Sequence, residues 1–121
     1  MNALSEKQTS VLTSRMGYSL RAILECEEYD ARRAKADGRR KKVVWEKLSN
    51  EAKRILFLLE KGKTSGIINE IASLNCRISF SCEKYRDSLA YSEGVALFDQ
   101  YVHMKNTLER LPEIGRLPDF R

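Results

Sequence analysis

The sequence is poor in the residues that define several protein classes. It has two prolines, six glycines and one histidine in 121 residues. That scarcity of proline and glycine excludes collagen-like and low-complexity chains. No run of 18 apolar residues occurs, so no membrane-spanning helix is expected. The three cysteines, Cys26, Cys76 and Cys82, are an odd number with no Cys-x-x-Cys pair. They argue against a disulfide framework and for a reducing compartment such as the cytoplasm. With His103 they would make a zinc tetrad at spacings of 50, 6 and 21 residues, a pattern with no support in known site spacing, so no metal site is expected. The first residues carry neither an apolar core nor a cleavage signal, so a secretory leader is not expected.

Charge is plentiful, at 32% of residues, beside 42% hydrophobic ones. That balance suits one folded domain, expected over residues 1–111 with a tail over 112–121. A chain this long buries roughly two-thirds of its unfolded surface and folds without metal or cross-link.

Apolar residues recur at helical spacing nearly throughout, which predicts an all-α antiparallel bundle of about four helices, two of them long. A first helix is expected over 5–34. Ser5 and Gln8 form a capping box at its start, and Leu12, Met16, Leu20, Ile23 and Cys26 share one side. Gly17 lies within it and suggests a close helix contact. Asp37-Gly38 reads as a corner, with one continuous long helix as the alternative. A second helix is expected over 40–61, striped by Val44, Leu48, Ala52, Ile55 and Leu59. The run Ile55-Leu56-Phe57-Leu58-Leu59 is apolar on every side and should be the most buried turn. Ser49-Asn50-Glu51 leaves open a break there, and Gly62 suits a C-terminal cap. A third helix is expected over 65–89 with a seam of Ile67, Ile71, Leu74, Ile78 and Tyr85. The alternation at 77–81 is the one strand alternative. The seam loses phase near 89–93, and a fourth helix follows to about 110. Pro112 should end it, because the residue before a proline is driven from helical angles. Beyond it an extended tail is expected.

The functional signal is charge placement. Lys and Arg exceed Asp and Glu by five overall. Residues 32–63 hold 12 basic and 4 acidic groups, a net of +8, and the flanking segments are slightly acidic. Arg32, Arg33, Lys35, Arg39, Arg40, Lys41 and Lys42 are seven cations within eleven residues, and Lys53 and Arg54 can extend the patch. Crowded like charges repel and do nothing for the fold, but they attract a polyanion. Arginine forks suit phosphate oxygens. The expected function is therefore a small non-enzymatic nucleic-acid-binding protein of regulatory type. It would grip phosphates, in RNA or DNA, with little base reading, and duplex RNA suits such a grip. The alternative is a helical adaptor or inhibitor docking on an acidic protein. A surplus of apolar helix surface favours a homodimer.

Other motifs carry less. Trp45 is expected to anchor the second helix, with base stacking as the alternative. Gly62-Lys63-Thr64 resembles the end of a phosphate loop, but Phe57 stands where the loop needs its first glycine. A helix-turn-helix fails because Asn75 and Arg77 fall where apolar packing is required. His103 has Asp99 and Thr107 as helical neighbours, and Cys82 is a conceivable partner. No nucleophile elbow or carboxylate cluster is present, so neither catalysis nor a cofactor is expected.

Overall fold

The computed structural model describes residues 4–114. Four helices follow one another: α1 (Glu6–Asp37), α2 (Val43–Glu60), α3 (Ile67–Lys84) and α4 (Tyr91–Ile114). α1 packs on α2 and α4, and α3 packs on the same two, so the helices form a four-membered antiparallel ring. Connections of five and six residues leave successive helices no choice but to run antiparallel as neighbours.

The expected stripes line the core. Leu12, Met16, Leu20 and Ile23 of α1 meet Val44, Leu48, Ile55 and Leu59 of α2, and Ile67, Ile71, Leu74 and Ile78 close the far side. From α4, Leu97, Met104 and Leu111 complete it. Trp45 is fully buried among them.

The capping box at the start of α1 forms: the Gln8 N–H donates to Ser5 Oγ at 3.1 Å, and the Ser5 N–H donates to Gln8 Oε1 at 3.0 Å. The corner after α1 also forms. Gly38 adopts φ 67°, ψ 28°, and the Arg39 N–H then reaches back to the Ala34 carbonyl at 2.9 Å. This left-handed closure is natural only for glycine and rules out one continuous helix. Gly62 repeats it after α2, where the Lys63 N–H reaches Leu58 O at 2.9 Å. α2 runs unbroken through Ser49-Asn50-Glu51, and residues 77–81 are helical.

Three expectations need correction. First, α4 passes through Pro112 and reaches Ile114. The proline sits in the last turn, where a missing N–H leaves one carbonyl unpaired and little else. Leu111 is buried, and its carbonyl accepts a 3.0 Å bond from Gln8 Nε2 of α1, so tertiary contacts hold the turn. The tail expected from 112 thus begins as helix, and 115–121 lie outside the described residues. Second, the turn 55–59 is not buried all round: Phe57 is 54% exposed. Each helix of a four-membered ring keeps an outward face, and Phe57 occupies it under the Lys61 ammonium, 5.6 Å from its ring centre. Third, Gly17 marks no close approach of another helix. A Cβ there would meet the guanidinium of Arg21, one turn along the same helix, at 3.0 Å.

Among the described residues no helix is long and apolar enough to cross a membrane.

Candidate polyanion-binding corner

The α1–α2 corner gathers the cations of 32–42 at one end of the bundle. They are not all free of counter-ions. Asp30 is 2% exposed and holds the corner closed: one oxygen accepts from Arg39 Nη2 at 2.9 Å, the other from the Lys42 N–H at 2.8 Å. A carboxylate this deep requires its partners, so Arg39 is committed to the fold. The Lys42 bond explains why α2 begins at Val43 rather than at 40: residue 42 is held extended as the helix cap. Lys41 pairs with Glu27 of α1 at 3.0 Å, and the Glu27 hydrogen bond, with its charge, raises the ammonium's pKa.

Lys42 reaches a third element. Its ammonium binds Glu93 Oε1 in the first turn of α4. The same oxygen caps α4 by accepting the Ala90 N–H at 3.0 Å, while Oε2 accepts from the buried Trp45 Nε1 at 2.8 Å. Burial pushes the Glu93 carboxyl up, but hydrogen bonds from Lys42, Ala90 and Trp45 and the Lys42 charge outweigh it and hold the group below its ordinary value. Trp45 is thus an anchor, and its polar end is fixed on α4.

Arg54 belongs to a separate clamp between α2 and α3. It binds Glu70 and Glu51, and Glu51 also takes Arg77 at 3.0 Å. The Arg54 hydrogen bond is the main cause holding the Glu51 carboxyl low. Lys53 lies ten residues into α2, about 15 Å along the helix from Val43.

Arg32, Arg33, Lys35 and Arg40 remain. They are exposed, and none has an acid within 4 Å among the described residues. Lys53 is likewise exposed and unpaired among these residues. On α1 the side chains of Arg33 and Lys35 leave the axis roughly 160° apart. Arg33 and Lys35 therefore face different sides of the bundle at this corner.

Sequence reasoning missed the counter-ions. Glu27 and Asp30 were findable, because they share the inward side of α1 with Ile23 and Ala34, and an acid on a buried face must have a partner. Glu93 lies 51 residues from Lys42 and left no local signal.

His103 meets neither Cys82 nor Asp99 in a hydrogen bond. Its Nδ1 lies 2.6 Å from Ser19 Oγ of α1, and its ring meets Tyr18 edge-on at 5.5 Å. Ser19 is fully buried, so this pair ties α1 to α4 and offers no accessible nucleophile. Among the described residues no three His, Cys, Asp or Glu side chains converge as a metal site. All three cysteines are free thiols. Among the clefts of the described residues, one of about 370 Å³ lies between α3 and α4, lined by Leu89, Val95 and Phe98, and one of about 440 Å³ lies between α2 and α3, flanked by Lys47, Arg77 and Lys84.

The chain matches no protein-family model, no curated protein and no solved structure.

Proposed function

We propose that this is a non-enzymatic, regulatory nucleic-acid-binding protein that grips phosphates at the α1–α2 corner. The carrying observation is the set of four exposed cations, Arg32, Arg33, Lys35 and Arg40, with no acid within 4 Å among the described residues. Lys41 joins the set through its exposed ammonium, with Glu27 on the inward side of α1 competing against phosphate for it. Arg39, Lys42 and Arg54 drop out, because their partners are buried or networked. The free thiols support a reducing compartment.

Duplex RNA and duplex DNA of equal length are the probes, titrated by fluorescence anisotropy over a salt series. Four phosphate contacts give a slope of log affinity against log salt of about −3.6, and five about −4.5. The variant combining Arg32→Ala, Arg33→Ala, Lys35→Ala and Arg40→Ala should lose binding with its melting temperature unchanged. Absence of binding at low salt, or affinity indifferent to salt, refutes the reading.

A second reading is a helical adaptor or inhibitor docking on an acidic protein, for which the same four exposed cations are the hook. An acidic protein partner that survives nuclease treatment and is lost with the four-alanine variant decides for it.

A further inference from the structure

Along the outside of α4, Tyr91, Val95, Phe98 and Val102 follow one another at spacings of four, three and four. That is the seam of a helix that pairs with another helix. Yet Tyr91 is 88% and Phe98 55% exposed, and no helix of the ring covers them. The inner side of α4 is already spent on the core through Leu97, Met104 and Leu111. α4 therefore has two apolar faces, one of them without a partner among the described residues.

We propose that a second copy of this chain docks on this outer face, with the two α4 helices antiparallel across a two-fold axis. Three features favour a like partner. First, the surface carries both knob and hole. The small residues Ala90 and Gly94 open the α3–α4 cleft beside the projecting Phe98 and Tyr91, so Phe98 of each copy has a recess on the other. Second, the stripe itself holds no charge, so an acidic partner gains nothing there. Third, both ends of the stripe carry charges of both signs: Arg86 and Asp87 in the turn before it, and Lys105 and Glu109, an exposed pair 4.0 Å apart, after it. An axis midway between Val95 and Phe98 sets Val95 against the partner's Phe98 and Tyr91 against the partner's Val102. It brings Lys105 and Glu109 over the partner's turn that carries Arg86 and Asp87. Parallel pairing would stack each charge on its own copy. Isologous contact of this kind closes at two chains.

The stripe is short, about 16 Å from Tyr91 to Val102. So short a stripe points to a weak dimer that dissociates on dilution. This inference is independent of the polyanion reading: the four-alanine corner variant should self-associate as the parent does.

Sedimentation equilibrium of the full chain, from about 1 µM to about 500 µM, tests it over the relevant affinity range. The expected result is a mass rising from 14.0 kDa toward twice that value. Phe98→Glu should raise the dissociation constant about thirtyfold or more, as loss of a central aromatic does. It should leave the monomer's melting temperature unchanged, since the ring is exposed. Lys105→Asp should weaken the dimer, and adding Asp87→Lys should restore it. A monomer at every concentration overturns the proposal, as does a dimer indifferent to Phe98→Glu. Failure of the charge swap to restore association overturns the antiparallel arrangement.

Discussion

Replacing Glu93 by Gln isolates one carboxylate that three elements share. Glu93 accepts from Lys42 Nζ, from Trp45 Nε1 at 2.8 Å and from the Ala90 N–H at 3.0 Å, and its side chain is 16% exposed. A glutamine keeps one accepting oxygen and loses the charge. That oxygen serves either the buried indole or the lysine and cap, not both. Lys42 can turn to water at modest cost, being 26% exposed, but the Trp45 N–H cannot. A hydrogen bond to a charged group contributes about 1.5–3 kcal/mol, and part of one survives. The net loss should be about 2 kcal/mol at neutral pH, or a fall in melting temperature of about 8 °C for a domain of this size. Glu93 is held below its ordinary value in the folded chain. Its contribution is therefore full above the unfolded carboxylate value of about 4.3 and fades as pH falls through the lower folded value. The glutamine has no such proton to take up. Urea unfolding, followed by the single tryptophan's emission, should show a gap between parent and variant that is widest at neutral pH and closes on acidification. Equal stabilities at pH 7, or a gap unchanged in acid, would refute the assigned role.

Two further outcomes are expected. Ile55→Ala, at a fully buried site, should cost about 2–5 kcal/mol in urea unfolding, whereas Phe57→Ser, two residues away on the open face, should cost less than about 1 kcal/mol; similar losses would contradict the exposure assigned to Phe57. Thiol titration with a disulfide reagent near neutral pH should label exposed Cys76 first, with Cys26 and Cys82 at least about tenfold slower, because burial covers both thiols and pushes them up; equal rates for all three would contradict this.

The sequence by itself determined what repeats locally. The seams of α1, α2 and α3, the Ser5 cap and the glycine corners at 38 and 62 were legible, because spacing along a helix and the steric freedom of glycine act within a few residues. So was the concentration of positive charge at 32–42. Only the tertiary structure decided which of those cations are free. Arg39 and Lys42 are held by Asp30 and Glu93, and the second of these pairings exists because folding carries the start of α4 to the α1–α2 corner. The same holds for Phe57, Phe98 and Pro112. A hydrophobic pattern tells that a helix has an apolar face, but not how many neighbours cover it. That number is fixed by the ring of four, which leaves every helix one side open to whatever comes next.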